Sequence, residues 1–91
     1  MDWHRPVDAG RQVLSERAAA LGLRPLASAA NFLLIRVAHR VAPDALAERL
    51  RQRGYVVKAS FAHPALAPCI RVTLGPPGVM TAFGDALAAS V

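Results

Sequence analysis

Residues 69–74, Cys69-Ile70-Arg71-Val72-Thr73-Leu74, alternate without a break between two chemistries. Successive side chains of an extended strand point to opposite faces, so Ile70, Val72 and Leu74 fall on one side and Cys69, Arg71 and Thr73 on the other. Such a strand requires a sheet with one apolar and one polar face, hence a fold in which helices cover one side. The chain has 91 residues to build it. That length suffices for a single domain over residues 1–91 with one modest core, and not for a two-domain enzyme.

The rest of the pattern supplies those helices. Pro6 suits a first helical turn, where its missing N–H is not needed, and Val7, Leu14, Ala18 and Leu21 recur at helical spacing up to Gly22. A helix over about residues 6–21 is expected, with Gly10 its weak point. After Pro25, residues 26–30 read as a loop or a short edge strand, and residues 31–37 (Asn31-Phe32-Leu33-Leu34-Ile35-Arg36-Val37) as a buried strand. Pro43 and Asp44 open a second helix with Leu46, Ala47 and Leu50 on its apolar stripe, and Gly54 ends it. Tyr55 through Ala59 read as a further strand, residues 60–68 as a loop around Pro64 and Pro68. Gly75-Pro76-Pro77 is a sharp turn into a last helix striped by Val79, Phe83 and Leu87, reaching about residue 89. The order is α, β, α, β, β, α: an α+β domain with a small antiparallel or mixed sheet of about three strands and helices on one face. The face bearing Arg71 and Thr73 has no helix from this chain to cover it and is a candidate docking surface.

Composition narrows the function classes. With 54% hydrophobic and 19% charged residues the chain is globular rather than disordered. No apolar run approaches the about 18 residues of a membrane span, and Met1-Asp2-Trp3-His4-Arg5 leads into a polar stretch unlike a secretory signal. One cysteine, Cys69, allows no internal disulfide and fits a reducing cytoplasm. The net charge of +5 raises nucleic-acid binding. Against it, the arginines are scattered except for Arg49, Arg51 and Arg53, and no aromatic residues interleave with them to stack bases. That cluster reads as a solvated helix face. His4, His39 and His63 have no metal-ligand spacing with one another or with Cys69, which reads as a half-buried structural thiol rather than a nucleophile.

Four segments in this order carry a resemblance: residues 30–36 (Ala30-Asn31-Phe32-Leu33-Leu34-Ile35-Arg36), Leu46 to Gly54 leading into Tyr55-Val56-Val57-Lys58, His63-Pro64-Ala65-Leu66, and residues 69–77 from Cys69 to Pro77. Together they resemble the C-terminal small domain of histidinol-phosphate aminotransferase and of threonine-phosphate decarboxylase, both fold-type-I pyridoxal-phosphate enzymes of the class I/II aminotransferase family. The resemblance covers about residues 11–88. It implies that Arg71, at the position of the family's last-strand arginine, binds the substrate's anionic end, as a planar guanidinium can clamp a carboxylate through two parallel hydrogen bonds. Lys58 stands where the family carries a second anion-binding arginine, so the charge is kept and the fork is lost. Asn31 belongs to a motif with a structural role, and Gly78 replaces an acidic residue at the start of the last helix.

The resemblance also implies what lies elsewhere. Such enzymes hold pyridoxal phosphate as a Schiff base on a lysine of an upstream large domain. Lys58, the one lysine here, matches a different position. No catalytic residue and no metal site are therefore expected in this chain, and no cofactor is expected to bind it alone. The expected function is that of a partial aminotransferase, inactive by itself, supplying a carboxylate- or phosphate-binding arginine. Its expected partners are a cofactor-bearing large domain or a homodimer mate and a small anionic amino-acid substrate, with no membrane. The competing readings are a threonine-phosphate decarboxylase-like domain of cobalamin synthesis, an independent anion- or protein-binding module, and a basic nucleic-acid binder.

Overall fold

The computed structural model describes residues 6–29, 31–59, 61 and 63–91. The readings made for residues 1–5, including His4, and for Ala30 lie outside the described residues. The elements are α1 (Pro6–Ala20), β1 (Arg24–Ala29), β2 (Phe32–Arg36), α2 (Pro43–Gln52), β3 (Cys69–Thr73) and α3 (Pro77–Ser90). All three helices begin on a proline, the residue whose fixed φ suits the first turn. Gly22 (φ +78°) and Gly54 (φ +92°) turn the chain out of α1 and α2 in a conformation that side chains with a Cβ resist. Leu23 N–H then donates back to Ala18 O, and Tyr55 N–H to Leu50 O, each at 2.9 Å, satisfying carbonyls that the helix ends would leave open.

The sheet is antiparallel in the order β1-β2-β3. In β2 and β3, Leu33 stands opposite Val72 and Ile35 opposite Ile70, while Leu34 faces Arg71 and Arg36 faces Cys69. Opposed residues share a face. Leu33, Ile35, Ile70 and Val72 are all buried in one cluster with Leu14 and Ala18 of α1, Leu46 and Leu50 of α2, and Met80, Phe83 and Leu87 of α3. At about 1.5–3 kcal/mol for each large apolar side chain removed from water, this cluster is the main favourable term holding the helices to the sheet. Arg71, Thr73 and Arg36 are exposed on the opposite face. Between β1 and β2 the register shifts between Pro25 and Ser28, a bulge in the edge strand.

The α+β architecture with helices on one face follows the sequence pattern, with two differences. Residues 24–29 form an edge strand, the second of the two readings for residues 26–30, and it starts two residues earlier, at Arg24. Residues 55–59 do not form a strand: their one ladder contact is an isolated antiparallel bridge between Lys58 and Arg71. The reason lies at the start of the segment. Tyr55 is held back toward α2 by its N–H bond to Leu50 O and packs edge-on against Phe83, with ring centroids 5.3 Å apart. Val56 is 86% exposed despite its β-branched side chain. Among the described residues no helix is long and apolar enough to cross a membrane.

Candidate anion-binding face of the sheet

Arg71 occupies the middle of β3, between Leu34 of β2 on one side and Lys58 on the other. The bridge is complete in both directions: Lys58 N–H donates to Arg71 O (3.0 Å) and Arg71 N–H to Lys58 O (2.8 Å). An antiparallel pair of this kind places both side chains on the same face, here the one away from the helices. The Arg71 guanidinium lies over the Phe32 ring, 5.4 Å from its centroid, and Lys58 Nζ lies 5.8 Å from the centroid of Phe61. Both cations rest on aromatic faces whose negative quadrupole favours them. Neither forms an ion pair among the described residues, where Arg11 pairs with Asp8, Arg17 with Asp85 and Arg51 with Glu48. Two adjacent like charges without a counter-ion make a natural seat for an anion.

Asn31 acts here through its backbone, where its carbonyl accepts from Leu74 N–H at 2.7 Å and ties the start of β2 to the end of β3. That bond lies one step beyond the Phe32–Thr73 pair and extends the ladder carrying Arg71. Cys69 shares the Arg71 face by register yet is fully buried, not half-buried as its alternation suggests, and is absent from the cluster beneath the helices. Burial pushes its thiol pKa up, with Arg36 pulling weakly the other way, so it is a poor nucleophile. His63 accepts the Ala65 N–H on Nδ1 within its own turn, and His39 Nε2 bonds Gly22 O at 2.7 Å. Among the described residues no group of three or more His, Cys, Asp or Glu could hold a metal ion.

In the sequence Arg24 and Arg36 stand apart as scattered charges. The register brings them opposite each other across β1 and β2, on the same face as Arg71. The register shift between Pro25 and Ser28 sets position 24 opposite 36 instead of 37, so the pairing does not follow from the numbering alone. In the cluster at 49–53, Arg51 pairs with Glu48 one turn earlier and Arg49 Nη1 donates to Ser90 O of α3 at 2.9 Å. A groove of about 280 Å³ between α1 and α3, lined by Val13, Glu16, Arg17, Met80 and Thr81, lies on the helical side, and its arginine is already paired with Asp85.

No protein-family model matches the chain. Individual proteins do. Histidinol-phosphate aminotransferase 1 of Ralstonia nicotianae is 45% identical over 83 residues, covering 88% of this chain and 21% of that protein. Histidinol-phosphate aminotransferase of Pseudomonas putida is 40% identical over 86 residues, covering 94% and 24%. Among solved structures, the Sinorhizobium meliloti histidinol-phosphate aminotransferase in complex with pyridoxal-5'-phosphate superposes with a TM-score of 0.69 at 30% identity, over 93% of this chain and 22% of that one. A candidate histidinol-phosphate aminotransferase from Erwinia carotovora atroseptica shares the fold, with a TM-score of 0.80 at 24% identity over 92% and 23%. The chain thus spans between a fifth and a quarter of the length of the proteins it matches. In sequence and in fold it corresponds to a fragment of the histidinol-phosphate aminotransferases, fold-type-I pyridoxal-phosphate enzymes.

Proposed function

We propose that this chain is the C-terminal small domain of a histidinol-phosphate aminotransferase-like enzyme, and that it holds the anionic end of an amino-acid substrate with Arg71, assisted by Lys58. The observation that carries this reading is the bridge that sets Arg71 beside Lys58 on the uncovered face, with no carboxylate paired to either among the described residues. A carboxylate or phosphate arriving there relieves the repulsion between the two cations. Arg71 contributes two parallel N–H donors and sets the substrate's orientation, whereas Lys58 contributes a point charge with freer geometry. The backbone bridge fixes the spacing of the two donors before any ligand arrives.

Pyridoxal phosphate supplies the electron sink for amino-group chemistry when it is bound in such an enzyme. The residues of this chain do not fit a complete cofactor site. Lys58, the one lysine, is exposed beside a cation that matches the substrate-binding position, and no described carboxylate pairs with it. The reading therefore assigns the cofactor to a separate large domain, assigns this chain no activity of its own, and places the assembly in the cytoplasm. The intact reaction would exchange an amino group between histidinol phosphate and 2-oxoglutarate.

The test is complementation. The chain is mixed with a large domain of a histidinol-phosphate aminotransferase that lacks the matching segment, and transamination of histidinol phosphate is followed. Activity should appear in the mixture alone and fall about tenfold to a hundredfold with Arg71→Ala, the range for losing a charge-assisted hydrogen-bond pair. Transamination by the chain unaided, or a mixture that forms a complex and stays inactive, would overturn the reading.

A further inference from the structure

A second basic cluster stands at the other end of the same sheet. Its centre is the Arg24–Arg36 pair, directly opposed across β1 and β2. Like charges directly opposite on a sheet face destabilise it. No ion pair offsets this one: among the described residues Arg24, Arg36 and Arg40 have no carboxylate partner, and Asp8, Glu48 and Asp85 are engaged with other arginines. The two arginines line an open cleft of about 410 Å³ together with Gly22 and His39. Gly22 is itself held in place, since His39 Nε2 donates to its carbonyl at 2.7 Å. The Arg40 guanidinium lies against it as well, with Nη1 3.2 Å from where a Cβ on Gly22 would stand. Two guanidinium groups and an imidazole thus line one concave surface, with a third guanidinium against Gly22 beside it, and no acidic residue is among its lining.

We infer that this cleft is a binding site for a small oxyanion carrying two negative charges, of the phosphate or phosphate-monoester class. Each guanidinium offers about five N–H donors in a planar fork, and the opposed pair presents two forks to one ligand. A phosphoryl group brings three terminal oxygens and close to two charges at neutral pH, which matches the donors and offsets the repulsion between Arg24 and Arg36. A carboxylate brings two oxygens and one charge, and leaves most of that repulsion in place. The site draws on residues of β1, β2 and the turns after α1 and β2, and uses neither Arg71 nor Lys58. It stands independently of the proposed function.

The test is a titration of the full 91-residue chain with inorganic phosphate and, separately, with glycerol phosphate. Nuclear magnetic resonance follows the backbone amide of Gly22 and the Nε–H signals of Arg24, Arg36 and Arg71, with sodium chloride at matched ionic strength as the reference. Saturable shifts are expected at Gly22, Arg24 and Arg36. Arg24→Gln and Arg36→Gln should each weaken binding about tenfold or more, while Arg53→Gln, the same charge change on another face, should leave it unchanged. If Arg36→Gln fails to fold, Arg24→Gln on the edge strand carries the comparison, read as loss of the phosphate-induced rise in Tm. Tighter binding of glycerol phosphate than of phosphate would identify an ester as the ligand, and the reverse a free ion. Shifts that chloride reproduces, or an equal loss with Arg53→Gln, would overturn the site. Shifts confined to Arg71 would also overturn it while leaving the proposed function standing.

Discussion

Gly10 of α1 packs its bare Cα against the carbonyl of Gly75, so closely that a Cβ added at Gly10 would lie 1.9 Å from Gly75 O. The neighbour is backbone, which cannot swing away as a side chain can. Helix propensity alone would reward Gly10→Ala by about 1 kcal/mol. The clash should win, with a net loss of about 1–3 kcal/mol typical of overpacking and a fall in Tm of roughly 4–8 °C for each kcal/mol. Urea denaturation measures it, and a rise in stability would show that α1 can slide over the Gly75 turn at little cost.

Arg71→Ala should separate binding from folding. The side chain is exposed and its stacking on Phe32 is worth about 0.5–1 kcal/mol at such a site, so the domain should lose no more than that in chemical denaturation. Anion affinity on this face should fall about tenfold or more. Collapse of the fold would make Arg71 a structural residue.

Lys58→Arg should act in the opposite direction. It places a second planar fork beside Arg71 without altering net charge or the backbone bridge. Isothermal titration with a phosphate ester should show tighter binding than the parent chain. No gain would mean that position 58 acts through charge alone.

Cys69 gives a pH signature. Burial raises its thiol pKa, so the folded state holds the thiol proton more tightly than the unfolded state does. Its contribution to stability is therefore complete below the ordinary thiol value of about 8.5 and is lost as pH rises through the higher folded value. Stability measured across alkaline pH should decline with a slope that Cys69→Ala abolishes, and alkylation of the native thiol should track unfolding. Rapid alkylation of the folded chain would refute the burial.

Arg49 joins α2 to the end of α3 through its bond to Ser90 O, a partly buried contact at a helix terminus where a cation is favoured. Arg49→Ala should cost about 1 kcal/mol and speed amide exchange in the last turn of α3. Unchanged exchange there would show that the buried Leu87 holds that turn by itself.

Much of the architecture is legible because each helix start carries a proline and the 69–74 alternation assigns faces directly: Pro6, Pro43 and Pro77 open the three helices, and Ile70 and Val72 face the core. Local propensity fails at residues 55–59, where Val56 and Val57 favour a strand but the Tyr55 tether to Leu50 and its contact with Phe83 steer the chain aside. Gly10 looks like a flaw in a helix because its partner, Gly75, is distant in sequence. Arg71 stands out through alternation. The Arg24–Arg36 pair becomes visible once the hairpin register is known, which a bulge between Pro25 and Ser28 makes hard to count. Cys69 alternates with the polar set and is nevertheless buried, because periodicity reports a face and says nothing of what covers it.

An open sheet can act as a template on which further chains add strands. Here Pro25 removes one amide donor from β1, and the adjoining register shift interrupts the regular spacing that an incoming strand would have to match. On the opposite margin, the Lys58 bridge occupies the hydrogen-bonding groups of Arg71. Each border thus carries a feature that interrupts the hydrogen-bond row a further strand would have to match.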